Sequence, residues 1–366
     1  MTLIASLGLN TSVLNPQLLE AGSDWDELAM SATQPSFFSS RSWVNAWWSI
    51  LARGGHTRLA VATDGDGQVL GRVGMTELQT RRRPLPFPVR STVILGSGPG
   101  AGDHMGPTLR SGAPVPADDL LWDWLDTAQG TLQFSAVARR LSEPHQRRDS
   151  VRVPYTHFQE GATQETAEAV WTGSRRRKVK KMRRTFADAG GEFVWFDQPV
   201  DILACFPELL RLHRKRMSEL ALRSFFVEND RIAFHDQLIR DSRPGNGAWL
   251  QIGLLQGEPV CALYGFHFGS TVHLYQSGWD SAAARFSIGQ MQCDAAFQKA
   301  IQLGARTLDL CRGDDAYKLQ YATGCVEEHT YILPRSFSGF VLGAQRNRWG
   351  ASSAAPLQDN AAEVPS

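Results

Sequence analysis

The sequence holds five cysteines, at positions 205, 261, 293, 311 and 325, and no pair of them has CxxC spacing. An odd, scattered set argues against a disulfide framework and against a cysteine-built structural zinc site. No apolar run approaches the roughly 20 residues of a membrane-spanning helix. The opening MTLIASLGLN lacks the basic residues that begin a secretory signal, so a cytoplasmic protein is expected. The 9 histidines include no HExxH, and His213, His235, His267 and His273 are too widely spaced for a metal box. No metal is therefore expected. Net charge is nearly absent as well. Lys plus Arg number 38 against 37 Asp plus Glu, a balance of +1. That excludes a wholesale nucleic-acid coat and an acidic disordered chain.

What is present is ordinary globular material: 366 residues, 42% hydrophobic and 20% charged, enough for two average domains or one large one. The neutral total conceals an anomaly. Residues 175–184, RRRKVKKMRR, hold eight basic groups and no acid, which against a total of +1 leaves −7 on the rest. On a helix, Arg176, Lys180, Arg183 and Arg184 share one side, and Arg177, Lys181 and Arg184 an adjacent one. Val179, Met182 and Phe186 form a narrow apolar stripe. Such a helix suits phosphates, an anionic polymer or a membrane surface, and equally a plain solvated face.

Along the chain, periodicity predicts helices at 23–30, 40–52 and 118–129 and strands at 57–64, 68–78 and 132–138. Trp43, Trp47 and Trp48 read as core. A proline- and glycine-rich loop covers 84–107. It lacks the ending of a P-loop and reads as a flexible loop near a cleft, with Asp103 and His104 as adjacent polar groups. After a linker at about 142–165 the order recurs: helices at 174–189, 201–221 and 229–241, strands at 248–255, 259–268 and 271–279, a helix at 287–303, and strands at 307–311 and 329–333. A further helix to about 348 precedes a disordered tail. The expected architecture is mixed α/β (α+β): two domains of one type, 1–165 and 166–348, with a tail at 349–366.

Residues 285–318 are the most informative. Ser287 can cap the following helix, whose exposed amides suit a pyrophosphate, and Gly289 lets a ligand approach the backbone. The strand TLDL then runs into a loop offering Asp309, Arg312, Asp314, Asp315, Tyr317 and Lys318. Ionisable groups just beyond a strand end are where α/β folds place ligands. On strand 271–279, His273 and Tyr275 share one face, as a polar pair within a sheet or as site residues.

Four stretches carry a family likeness: PSFFSSRSWVNAWW (35–48), SRRRKVKKMRRTFADAGGEF (174–193), LRLHRKRM (210–217) and SIGQ…LGARTLDLCRGDDAYKLQYA (287–322). In them the chain resembles the GNAT-superfamily acetyltransferase-like proteins of bacterial cellulose and exopolysaccharide synthesis, relatives of the Fem-type peptidoglycan aminoacyltransferases. Asp309, Arg312, Gly313, Asp314, Tyr317 and Lys318 match a D-x-x-R-G-D-x-x-Y-K pattern typical of that family. The resemblance implies two tandem GNAT-like domains, each a mostly antiparallel mixed sheet flanked by helices. It also implies acyl transfer to an amine, usually from acetyl-CoA. The donor's pyrophosphate would fall on Ser287, Ile288, Gly289 and Gln290. Of the Q/R-x-x-G-x-G/A signature, Arg285 and Gly289 can be aligned, while Ile288 and Gln290 stand at its glycine positions.

By the same likeness Asp309 or Asp314 would serve as general base and Tyr317 would protonate the leaving thiolate. A backbone amide of strand 271–279 would polarise the carbonyl, and Arg312 and Lys318 would hold an anionic group. His273 and Tyr275 would face the acceptor, an amino sugar or other amine. Two alternatives stand beside this reading: a non-catalytic partner of a polysaccharide-synthesis complex, and a Fem-like aminoacyltransferase using charged tRNA.

Overall fold

The structure is a computed structural model that describes residues 7–15, 24–81, 88–98, 102–128, 131–141, 146–313 and 315–333. The helix expected to about 348 and the tail at 349–366 lie outside the described residues. The first half contributes strands β1 (Gly8–Leu14), β2 (Thr57–Thr63), β3 (Val69–Arg81), β4 (Pro88–Ile94), β5 (Thr108–Leu109), β6 (Thr131–Val137) and β7 (Gln146–His157). Its helices are α1 (Asp24–Met30), α2 (Arg41–Ala46) and α3 (Val115–Leu125). The second half has helices α4 (Gln164–Glu168), α5 (Gly173–Asp188), α6 (Pro199–Glu219), α7 (Asn229–Arg240), α8 (Ile288–Gln302) and α9 (Ala316–Tyr321). Its strands are β8 (Gly191–Phe196), β9 (Gly247–Leu255), β10 (Glu258–Phe268), β11 (Thr271–Trp279), β12 (Thr307–Asp309) and β13 (Gly324–Leu333).

All thirteen strands join one sheet in the order β1-β2-β3-β4-β6-β13-β7-β12-β11-β10-β9-β8, with β5 on β3. Two pairings are parallel, β4 with β6 and β11 with β12; the others are antiparallel. The centre of the sheet is an exchange. β7, the last described strand of the first half, pairs with β12, and β13, the last strand among the described residues, returns to pair with β6. β7 and β13 then run antiparallel to each other over most of their length. The segment read as a linker is thus a central strand. Its alternation is real, with Val151 and Val153 buried and Arg152 exposed. The run of basic residues and Pro154 masks it in the sequence, because both are rare in central strands.

A continuous aromatic core ties the halves together. Phe37 stacks on Phe266 with ring centroids 4.2 Å apart, and Trp43 meets Phe234 edge-on at 4.9 Å. Trp43 and Trp47 are fully buried, as their spacing predicts. The helix expected at 40–52 starts at Ser40, whose hydroxyl accepts from the Trp43 N–H, and finishes as a π-helical turn over Trp47–Leu51. On the other side of the second half, α6 presses directly on β11. A Cβ at Gly278 would lie 2.2 Å from the His213 backbone nitrogen, so only glycine permits this approach.

Candidate active site

The site begins where two parallel strands part. β11 pairs with β12 only over Thr271–His273 against Thr307–Asp309. Beyond that the second strand turns away: the Leu310 N–H bonds to the Pro154 carbonyl, and Cys311 takes a left-handed φ of 53°. β11 continues to Trp279 with β10 on its other side. Its edge from Leu274 onward therefore opens on a cleft of about 530 Å³.

At the base of the cleft stands the N-terminus of α8; the Gln290 N–H turns back to the Ser287 carbonyl at 2.9 Å, and helix geometry leaves the amides of Ile288 and Gly289 without intrahelical acceptors. Ser287, Ile288, Gly289 and Gln290 all line the cleft. Ser287 occupies the cap position with φ 53° and makes no side-chain capping bond, so the expected hydroxyl cap is replaced by a left-handed backbone turn. Gly289 is not required by packing. A Cβ there would meet only Trp279, at 3.4 Å or more, which is ordinary contact. The walls are cationic: Lys178, Arg216, Arg312 and Lys318 line the cleft, with Asp315 as the one carboxylate among the described residues. A helix N-terminus ringed by four cations is a place for a multiply charged anion.

Of the residues singled out from the sequence, Tyr275, Ser287, Ile288, Gly289, Gln290, Arg312, Tyr317 and Lys318 line this cleft. Arg285 does not; its guanidinium lies over the Phe286 ring at 4.8 Å. His273 and Asp309 lie behind the wall, 1% and 4% exposed. Asp314 lies outside the described residues. Burial pushes the Tyr317 phenol well above its ordinary value, so it keeps its proton at neutral pH. Lys318 is anchored by a 2.8 Å bond from its ammonium to the Arg312 carbonyl.

The sequence reading missed His213, Lys178, Arg216 and Gln276 as cleft residues. His213 and Arg216 are three apart on α6 and so share a face, a signal present in LRLHRKRM. Ser224 Oγ accepts from the Phe226 N–H and, through its own hydrogen, meets His213 Nδ1 at 2.9 Å. His213 Nε2 then donates to Gln276 Oε1 at 3.2 Å. Burial lowers His213 to about 4, so the ring stays neutral.

Behind the cleft lies a buried polar chain. Asp309 Oδ2 accepts from His104 Nε2 at 2.6 Å and from His273 Nδ1 at 2.8 Å, while its Oδ1 accepts from the Cys311 N–H. Burial works against the Asp309 charge, but the His104 imidazolium and both histidine hydrogen bonds outweigh it and hold the carboxyl far below its usual range. With three bonds accepted and its proton affinity this low, Asp309 is a poor base. His104, His273 and Asp309 bring donor atoms within 4.8 Å of one another, a spacing a metal ion can span. The Phe37 N–H, however, points at His273 Nε2 (3.3 Å), which leaves the ring proton on Nδ1 facing Asp309. The trio is accounted for as a hydrogen-bonded chain.

Buried neutral histidines make the fold acid-labile. Burial lowers His213 to about 4 and His235 to about 3 from an ordinary 6.5. Both are neutral in either state above 6.5; below it the unfolded chain takes up protons that the folded one refuses. Stability therefore falls as pH drops from 6.5 towards 4, by about 1.4 kcal/mol per histidine per pH unit. Urea midpoints at pH 7 and pH 5 should differ accordingly, and His235→Phe should flatten the dependence. An unchanged slope in that variant would contradict the assignment.

The first half has the same parallel pair, β4 with β6, but its opening is filled. The Met105 N–H bonds to the Ala136 carbonyl at 2.7 Å, and Trp43 Nε1 donates to the Gly96 carbonyl at 3.0 Å. A space of about 30 Å³ remains there. Two glycines of this loop serve packing. A Cβ at Gly96 would press on the Trp43 ring at 3.2 Å, and one at Gly102 on Met105 at 2.7 Å. The expected flexible loop is, in its described residues, a plug.

On the basic helix α5, three of the eight charges are structural. Arg183 is bidentate to buried Asp294 and pairs with Glu168. Arg175 lies over the Trp171 ring at 4.0 Å, and Arg176 donates to the Ala169 and Trp171 carbonyls. Arg177, Lys178, Lys180, Lys181 and Arg184 are exposed. Among the described residues no helix is long and apolar enough to cross a membrane.

Residues 173–319 match the acetyltransferase (GNAT) domain family. No curated protein matches the sequence. Among solved structures, the chain is similar to FemX, with 12% identity and a TM-score of 0.57, over 91% of this chain and 99% of that one. It is similar also to the C-terminal domain of a protein from Agrobacterium fabrum described as a lysylphosphatidylglycerol synthetase, with 11% identity and a TM-score of 0.52, over 88% and 96% of the two chains. At such identities these likenesses concern the fold alone.

Proposed function

We propose that this protein transfers an acyl group from a coenzyme A thioester to an amine. The observation that carries the reading is the open splay of β11 from β12 with the N-terminus of α8 at its base. The amides of Ile288 and Gly289 and the cationic walls suit a diphosphate. The free edge of β11 offers backbone N–H groups to a thioester carbonyl, where negative charge develops as the amine adds. Tyr317 holds the proton that the departing thiolate takes. The proton given up by the amine goes to the loop carboxylates Asp314 and Asp315, since Asp309 is saturated and buried. Asp309 and His273 then position the loop and the strand.

The two halves are proposed to be tandem copies of one domain, 1–165 and 166–348, because each has a parallel strand pair followed by an antiparallel strand. The acetyl group as acyl unit, and an amino sugar or polysaccharide precursor as acceptor, rest on the sequence resemblance. The exposed face of α5 is proposed to meet an anionic surface. Sedimentation with anionic but not neutral vesicles, lost at high salt and in Lys180→Glu/Lys181→Glu, is the expected result. Equal sedimentation with both kinds would refute it.

Calorimetry with acetyl-CoA and CoA tests the function. Micromolar binding of both is expected. Binding of neither sinks the reading, and a salt-sensitive gel shift with charged tRNA in its place would favour an aminoacyl donor.

A further inference from the structure

We infer that His104, from the plug of the first half, is a positioning residue for the cleft of the second, clamped between Asp309 and Glu328 and fixing the turn that carries Arg312. The clamp itself is read from geometry; its effect on the donor rests on the function proposed above.

His104 meets two carboxylates with its two ring nitrogens, Nε2 at 2.6 Å from Asp309 Oδ2 and Nδ1 at 2.8 Å from Glu328 Oε1. Its backbone N–H adds a third bond, also to Glu328 Oε1 at 2.8 Å. A carboxylate accepts only, so both ring nitrogens carry hydrogens and the ring is an imidazolium. His104 itself has a left-handed φ of 55°, a conformation a histidine holds only under constraint from its surroundings.

From the clamp the order passes directly into the cleft wall. Asp309 accepts from the Cys311 N–H and so fixes the left-handed turn at that residue. The next residue, Arg312, donates its backbone N–H to Asp103 at 3.2 Å, so His104 and its neighbour hold the same turn at two points. The Arg312 Nε is buried and has no hydrogen bond; it lies 3.7 Å from Asp103 and 4.0 Å from Glu328. The placement of those carboxylates therefore bears on where the guanidinium stands. Remove the imidazolium, and Asp309 and Glu328 lose their shared counter-charge. Arg312 is then the cation left to compensate them, and it is drawn back from the cleft.

A double-mutant cycle on CoA affinity tests this. His104→Gln should raise the Kd about ten-fold, Arg312→Gln by a similar factor, and the double variant should be no worse than Arg312→Gln alone. Full additivity, or wild-type affinity in His104→Gln, would overturn the proposal. Should His104→Gln fail to fold, His104→Asn, which likewise removes the imidazolium and leaves both carboxylates, takes its place in the same cycle with the same two outcomes. An independent measurement needs no donor: nitrogen-15 spectra of the His104 ring in the wild-type protein should show both nitrogens protonated at neutral pH. A neutral ring there refutes the clamp whatever the chain transfers, whereas a wild-type protein that binds no CoA but shows the imidazolium refutes only the function and keeps the clamp.

Discussion

Gly289→Glu is expected to weaken CoA binding at least a hundred-fold while leaving the fold as stable as before, or slightly more so. The two effects run in opposite directions because the position serves the ligand and not the core. In the free protein a Cβ at 289 meets only Trp279 at ordinary contact distance. Glutamate is a better helix former than glycine by roughly 0.5–1 kcal/mol, and an acid in the first turn of α8 complements the helix dipole. For a diphosphate at the same amides, the carboxylate is a like charge at close range, about 4 kcal/mol at 4 Å with an effective dielectric near 20. Even half of that, after screening, together with the lost backbone approach, accounts for two orders of magnitude in affinity. Calorimetry paired with a thermal melt measures both signs. A variant that loses stability and affinity together would mean that Gly289 is a packing residue.

Arg183→Met should cost about 3–5 kcal/mol of folding stability, the usual result of stripping a buried carboxylate of its partner. Asp294 is fully buried and takes both Arg183 Nε at 2.6 Å and Nη2 at 2.8 Å. Tyr321 and Gln298 also bond to it, at 3.0 and 2.8 Å, but neither brings a positive charge. Glu168 would lose its pairing with Arg183 as well. This ion pair docks α5 on α8, so it sets where the exposed cations of the basic helix stand relative to the cleft. Adding Asp294→Asn should recover part of the loss, since it removes the stranded charge. Urea midpoints of the single and double variants decide the matter; a single-variant loss below about 1 kcal/mol would show that Asp294 finds another partner or a proton.

The sequence was most legible where function and local structure coincide. α8, with Gly289 near its start, and the polar loop after TLDL could be placed from helical period and strand-end chemistry, both of which act within a few residues, although the expected Ser287 cap is not made. The exchange of β7 and β13 could not, because pairing between distant strands leaves no local trace and Gln146–His157 reads as a charged connection. β1, β4 and β8 were missed for a related reason: in each, the partner strand supplies the evidence that it is a strand. Asp309 looked like a base because it stands at a strand end. Only the fold brings His104 to it across 205 positions and reveals the carboxylate as saturated. The glycine-rich loop illustrates the same gap, since its composition speaks of freedom while Trp43 and Met105 hold it in place.

The most direct test of the central claim is a crystal structure of the protein with CoA bound. The diphosphate is expected within about 3 Å of the amides of Ile288 and Gly289, with the sulfur beside the open edge of β11 and near the Tyr317 hydroxyl. A CoA molecule lodged elsewhere, on the exposed face of α5 or in the first half, with the β11–β12 cleft left empty, would contradict it.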